Sequence, residues 1–121
     1  HYPLNFHKEA KPASVLAQEA WAQGGEKLFW KVHDDLFAAQ RELSIDKIAE
    51  IGKAAGVDMA KLEANRAKHE KTIEDTMQMG NKAGVRGTPS LYINGRKYEP
   101  SGGFSPEAVA GVIGKVLKGT L

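Results

Sequence analysis

Residues 84–95, with the sequence GVRGTPSLYING, mark the point at which the chain changes character. Before this segment apolar residues recur at helical spacing, whereas residues 88–93 form a β-branched and aromatic run. Asn94-Gly95 separates this run from a second one at residues 96–99. An Asn-Gly pair in such a position predicts a β-hairpin with a type I′ turn, because that turn needs positive φ at both central residues. Pro89 is compatible with a strand start, since the N–H that it lacks lies outside the ladder there.

The residues before the hairpin predict a succession of helices. Gly24-Gly25 is expected to end the first of them, because paired glycines favour a helix stop. Ser44 and Asp58 have side chains suited to capping the starts of later helices, and Gly56 and Gly84 are suited to ending them. The helices are predicted at about residues 7–23, at about residues 26–40, between Ser44 and Gly56, over a short stretch after Asp58, and at about residues 68–82.

A last helix is predicted after the hairpin. Residues 101–103 are expected to form a loop, and Ser105-Pro106-Glu107 then combines a capping residue, a proline at the first helical position and an acid in the first turn. Val109, Val112 and Val116 give this helix an apolar face. The fold class that follows is α+β or α/β, with helices, a hairpin and a closing helix.

The hairpin lacks an obvious partner within the chain. A two-stranded hairpin alone is marginally stable in water and needs further strands or covering helices. Residues 91–93 are apolar on both faces, which is typical of a strand buried inside a sheet. We therefore expect the hairpin to be covered by another chain or by a segment that precedes His1 in the parent protein.

The composition indicates one domain over residues 1–121 and excludes several kinds of chemistry. The 17 Lys and Arg against 15 Asp and Glu give a net charge of +2, which does not favour a nucleic acid partner. No apolar run approaches the roughly 18 to 20 residues that a membrane span requires. The absence of cysteine excludes a disulfide, a thiolate metal site and a cysteine nucleophile within these residues.

Other candidate sites in the sequence favour structural interpretations. Trp21, Phe29 and Trp30 are expected to be part of the core rather than a cage for a ligand. No pair of histidines has the i, i+4 spacing of metal ligands, so no metal site is predicted and surface or capping roles are expected. The four histidines are His1, His7, His33 and His69.

The start of the predicted hairpin has a plain local interpretation. Gly87 permits a close backbone approach or a positive φ, and Pro89 follows directly after Thr88. Local physics favours a simple loop-to-strand entry with a trans peptide bond, because only about 5–6% of bonds before proline are cis in folded proteins.

The order of short motifs along the chain resembles one family. Residues 85–89, VRGTP, followed by an apolar strand and Asn-Gly, are similar to the cis-proline segment of DsbA-like thiol–disulfide oxidoreductases. The start of the chain, HYPLNFH, resembles the strand end and helix entry that follow the active-site helix in that family. Residues 29–37 and 56–62 resemble its helical insertion, so the likeness extends over essentially the whole chain in the expected order.

This resemblance implies an incomplete thioredoxin-like fold with a helical insertion. Residues 1–6 would be a strand end and loop, residues 7–84 the insertion, and residues 85–121 a hairpin with a cis-proline entry plus the C-terminal helix. By resemblance, Pro89 would be the cis proline, and Gly87, Thr88 and Pro89 would contact a peptide substrate. The family's C-x-x-C pair is missing, so the chain is expected to be the C-terminal part of such a protein, with no catalytic residue, cofactor or metal of its own.

Three functions remain open at this point. The chain is expected to be part of a DsbA-like oxidoreductase or isomerase that is inactive in redox exchange by itself, because disulfide exchange needs a thiolate. The alternatives are a cysteine-free thioredoxin-fold module for binding or scaffolding, and a glutathione-using isomerase of the same fold. A periplasmic or other extracytoplasmic location is implied by the resemblance. A homo-oligomer through the uncovered sheet edge is also expected.

Overall fold

A computed structural model describes residues 1–99 and 103–120 of the chain. The elements are helix α1, a 3₁₀ turn, helices α2 and α3, strands β1 and β2, and helix α4. Their bounds are Ala10–Ala38, Gln40–Glu42, Ile45–Ala55, Met59–Lys82, Tyr92–Ile93, Arg96–Lys97 and Pro106–Leu117. Two residues of the loop predicted at 101–103, Ser101 and Gly102, lie outside the described residues. The chain divides into two compact units, His1–Gly84 and Val85–Leu121.

The predicted helix caps are confirmed by side-chain hydrogen bonds. The Ser44 side chain accepts from the N–H of Lys47 at the start of α2, and Asp58 accepts from the N–H of Lys61 at the start of α3. These bonds satisfy N–H groups that have no partner within the helix. Gly56 ends α2 in the left-handed conformation, with φ of 90°. At α4, Ser105 caps in the same way and Pro106 occupies the first turn, as predicted.

The first two predicted helices are two helical stretches of α1 that meet at a kink. Gly25 has φ of 63° and ψ of −152°, far from helical values, and a second helical stretch begins directly after it. The prediction of a first helix that ends at Gly24-Gly25 and a second that follows it is therefore confirmed. The chain changes direction at a single residue, because only glycine adopts these backbone angles readily.

The short fourth predicted helix and the fifth predicted helix form a single helix in the structure. Helix α3 runs without interruption from Met59 to Lys82. Residues 63–67, EANRA, contain no glycine or proline, and most of them are good helix formers. Nothing in that stretch disfavours continuation, so the break predicted near residue 68 was wrong.

The core of the unit His1–Gly84 lies between α1, α2 and α3. Leu16 of α1 is among the largest fully buried side chains, and α2 and α3 contribute further apolar residues to the same core. The buried core consists of Val15, Leu16, Ala20, Val32, Leu36, Ala39, Ile48, Ile51, Val57, Leu62 and Ile73. Every member of this core belongs to the same unit, so the three helices form a small bundle with its own hydrophobic interior.

The unit Val85–Leu121 holds the hairpin and α4. Asn94 and Gly95 have φ of 50° and 75°, which confirms the predicted turn with positive φ at both central residues. The ladder pairs Tyr92 with Lys97 and Ile93 with Arg96, so each strand is two residues long. Strand β1 is shorter than the apolar run of the sequence, and burial of that run on both faces, which needs a partner outside this chain, stays a prediction. Tyr92 is 38% exposed, and no described residue of this unit is buried.

Candidate functional site

The three residues predicted to bind substrate lie together in the loop that leads into β1. Thr88 and Pro89 are exposed and Gly87 is half-buried. The Thr88–Pro89 peptide bond is cis. The Ser90 hydroxyl donates a hydrogen bond to the Gly87 carbonyl oxygen at 2.6 Å, which closes the loop on itself. The loop thus presents Thr88 and Pro89 at the surface, directly beside the start of a strand.

The hairpin that follows this loop is short and polar at its surface. The N–H of Tyr98 donates to the Leu91 carbonyl oxygen at 2.8 Å, which extends the pairing beyond β1 and β2. Lys97 and Glu99 form an exposed ion pair at 3.1 Å. An exposed pair of this kind adds little stability, so backbone pairing and the turn define the hairpin.

The bundle contains a buried polar cluster that the sequence analysis did not predict. We call it the Glu19 cluster, and it consists of Glu19 and Gln23 on α1 with Asn65 and His69 on α3. Glu19 is 1% exposed and His69 is 6% exposed. Gln23 donates to the Glu19 carboxylate at 2.7 Å, Asn65 donates to both of its oxygens, and His69 Nε2 is hydrogen-bonded to it. The expectation of a surface or capping role was therefore wrong for His69.

The cluster changes the acidity of Glu19. Burial by itself acts to raise the pKa of this carboxyl group. Hydrogen bonds from Gln23, His69 and Asn65 together outweigh burial and hold the pKa of Glu19 below its ordinary value of 4.5. A sequence signal did exist, since Glu19 follows Val15 by four residues and so lies on the apolar stripe of its helix.

The aromatic residues predicted to be core lie mostly at the surface. Trp21 is 54% and Trp30 is 49% exposed, whereas Phe29 is half-buried. The Phe29 ring meets both indoles edge to face, at centroid distances of 5.7 and 5.1 Å. His33 extends the group by packing at 4.9 Å from the Trp30 ring. The buried face of α1 carries aliphatic residues instead, so the prediction of an aromatic core was wrong.

No set of three or more metal-ligating side chains comes together in residues 1–99 and 103–120. In the same part of the chain, no helix has both the length and the apolar content for crossing a bilayer.

The helical unit, and the hairpin that follows the cis Thr88–Pro89 bond, are the parts of an incomplete thioredoxin-like α+β fold with a helical insertion. The family model described as "DSBA-like thioredoxin domain" matches residues 1–114. The chain therefore belongs to the family of DSBA-like thioredoxin domains, as its motifs predicted. It does so without any cysteine.

The curated relatives are much longer proteins. The chain is 27% identical to "Na(+)/H(+) antiporter NhaA 1" of Salinispora arenicola, over 99% of the chain and 18% of that protein. It is 28% identical to "Na(+)/H(+) antiporter NhaA 3" of Salinispora tropica, over 93% of the chain and 17% of the relative. It is 30% identical to "Na(+)/H(+) antiporter NhaA" of Nitrosospira multiformis, over 97% of the chain and 19% of that protein. The chain thus spans less than a fifth of each relative. No solved structure shows a significant match.

Proposed function

We propose that the chain is the cysteine-free, peptide-contacting part of a DsbA-like thiol–disulfide oxidoreductase. The observation that carries this proposal is the loop of Gly87, Thr88 and Pro89, which exposes Thr88 and Pro89 beside a short strand in a chain of the DSBA-like family. An extended peptide would lie along this loop and pair with its backbone, since main-chain hydrogen bonds give affinity when a strand is added to a sheet edge.

The redox chemistry would have to come from outside these residues. Thiol–disulfide exchange begins with attack of a thiolate on a disulfide sulfur, and this chain has no cysteine to supply one. In the proposed parent protein a C-x-x-C pair elsewhere performs that step, and this chain holds the peptide. The proposed location is extracytoplasmic, because disulfides form and persist in oxidising compartments.

A peptide titration tests the proposal. We expect a synthetic peptide rich in Val and Thr, which favours an extended conformation, to shift the NMR amide signals of Gly87, Thr88 and Ser90. Thr88→Pro removes the backbone N–H at the centre of the loop, whereas Thr88→Ala keeps it and serves as the matched control. Loss of one main-chain hydrogen bond should weaken binding about tenfold in Thr88→Pro.

Two results would contradict this function. One is a set of peptide-induced shifts confined to α1–α3, or an equal loss of affinity in both Thr88 variants. The other is turnover above the buffer rate when the 121-residue chain alone is given a disulfide substrate, because no thiolate is present to attack it.

A second candidate function is a cysteine-free binding module within a larger protein. The supporting observation is that nearly the whole chain is similar to less than a fifth of three proteins named as Na(+)/H(+) antiporters. The sequence of the parent protein separates the two candidates. A C-x-x-C pair after an apolar strand favours the oxidoreductase, and a parent protein without one favours the binding module.

We also propose that two copies of the isolated chain associate through α4 and the hairpin. Val109, Val112 and Val116 are only half-buried, and Leu117 is exposed, so the apolar face of α4 is incompletely covered. Light scattering at micromolar concentration should give the mass of a dimer. Val112→Glu should restore the monomer, and Lys115→Glu, an exposed position on the same helix, should not. A monomeric unmodified chain would contradict this proposal.

A further inference from the structure

The Glu19 cluster fastens the start of α3 to α1. The Gln23 side chain, one turn after Glu19 on α1, accepts from the Asp58 N–H at 2.7 Å and donates to the Asp58 carbonyl oxygen at 3.0 Å. Its amide nitrogen also donates to Glu19 at 2.7 Å. Asp58 is the capping residue of α3. One amide side chain therefore connects the Glu19 carboxylate to the backbone at the start of α3.

Glu19 is the acceptor on which this arrangement depends. Its two carboxylate oxygens take hydrogen bonds from the amide groups of Gln23 and Asn65 and from the imidazole of His69. The amide NH₂ groups can only donate, and an imidazolium ring in acid solution presents donors at both nitrogens. A protonated Glu19 would keep its carbonyl oxygen as an acceptor, but its other oxygen would become an O–H donor that meets the donors already in place.

We propose that Glu19 is an acid-sensitive switch in the helical bundle. As a carboxylate it holds Gln23 and Asn65 in place and keeps the start of α3 attached to α1. On protonation Glu19 loses its negative charge and one of its two accepting oxygens, and the first turns of α3 are released from α1.

The groups around Glu19 explain why the switch responds to protonation of Glu19 and not to deprotonation of a neighbouring group. From α3, His69 bears on Glu19 through a hydrogen bond and, when charged, through electrostatic attraction. The neighbouring donor on α1, Gln23, carries no charge, and Asp58 meets Gln23 through backbone atoms. Helix α2 contributes buried isoleucine and glycine residues to the same core. A neutral imidazole can still donate to the carboxylate, so raising the pH does not remove this hydrogen bond.

The direction of the pH dependence follows from the lowered pKa of Glu19. A carboxyl group that is more acidic in the folded state stabilises that state at pH values above its unfolded pKa. This stabilisation declines as the pH falls below the ordinary value of 4.5 and is lost once the pH passes the lower, folded pKa. The switch is therefore closed at neutral pH and opens in acid.

The test compares Glu19→Gln with Glu26→Gln in the 121-residue chain. Both substitutions remove one carboxylate from α1, but Glu26 is exposed. At neutral pH we expect Glu19→Gln to lower the folded-to-unfolded ratio in urea titrations about tenfold. This deficit should shrink as the pH falls below 4.5, because the unmodified protein then loses the same stabilisation as Glu19 is protonated. Glu26→Gln should leave the folded-to-unfolded ratio unchanged at neutral pH and in acid.

A measurement on the unmodified protein keeps the proposal testable if Glu19→Gln fails to fold. The ¹³C carboxyl signal of Glu19 should titrate below the ordinary value of 4.5, and hydrogen-exchange protection of the first turns of α3 should fall as Glu19 is protonated. A Glu19 signal that titrates at or above 4.5 would overturn the proposal. So would a Glu19→Gln deficit that is the same at neutral and acid pH, or protection of α3 that does not change as Glu19 titrates.

Discussion

Replacing Leu16 with alanine is expected to lower the free energy of unfolding by about 3 kcal/mol. Leu16 has no exposed surface and is among the largest fully buried side chains of the bundle. It packs against the backbone of α2 so closely that a Cβ atom built on Gly52 would lie 2.8 Å from Leu16 Cδ1. Two helices already in contact through a glycine cannot close further to fill the space. The truncation should therefore leave a cavity, and the energetic effect should include both lost apolar burial and that cavity.

Leu117→Ala is the matched control for this prediction. It makes the same chemical change on a helix, at a side chain that is 82% exposed. Its effect on unfolding of the bundle should be within about 0.5 kcal/mol, because surface substitutions usually are. Urea titrations followed by far-ultraviolet circular dichroism measure the free energy of unfolding of both variants. Equal effects of the two substitutions would mean that Leu16 is not packed in the core.

Local features of this fold could be predicted from the sequence because a few neighbouring residues determine them. The Ser44 and Asp58 caps each need one side-chain oxygen and an N–H three residues later. The hairpin turn needs two residues that tolerate positive φ, and Asn94-Gly95 is the pair that best does so. These signals give the ends of elements, and the structure places them where they were predicted.

The orientation of α1 could not be predicted in the same way. The helix carries an aliphatic stripe that includes Val15 and Leu16, and an aromatic group that includes Trp21 and Trp30. Both are apolar at helical spacing, so periodicity alone does not decide which one faces the core. Packing decided it, because the aliphatic stripe meets α2 and α3. The Glu19 cluster was missed for a related reason, since its members lie on two helices far apart in sequence.

The candidate site depends more on family membership than on local physics. Nothing about the residue types of Gly87, Thr88 and Pro89 specifies a peptide partner, and the interpretation came from their similarity to a family segment. The structure adds that Thr88 and Pro89 are exposed. The chain contains no cysteine, so these residues offer no thiolate for the disulfide exchange that we propose for the parent protein.

Replacing Gly25 with alanine is expected to cost about 2 kcal/mol of unfolding free energy. Gly25 has φ of 63° and ψ of −152°, which is a region that residues with a Cβ atom rarely enter. No atom lies within 4 Å of a Cβ built at this position, so the effect would come from the backbone and not from a steric clash. The variant must either keep a strained backbone or straighten α1. Straightening would move the Phe29 and Trp30 rings relative to Trp21.

Gly111→Ala separates backbone strain from the general effect of adding a methyl group. Gly111 lies within α4, and a Cβ built there also has no atom within 4 Å. Because alanine favours a helix over glycine by roughly 0.5–1 kcal/mol, this control should leave stability unchanged or raise it slightly. Tryptophan fluorescence adds a second measurement, since a straightened α1 changes the surroundings of Trp21 and Trp30. If Gly25→Ala unfolds like the unmodified chain with the same fluorescence, the kink does not depend on glycine, because an alanine has then adopted it without cost.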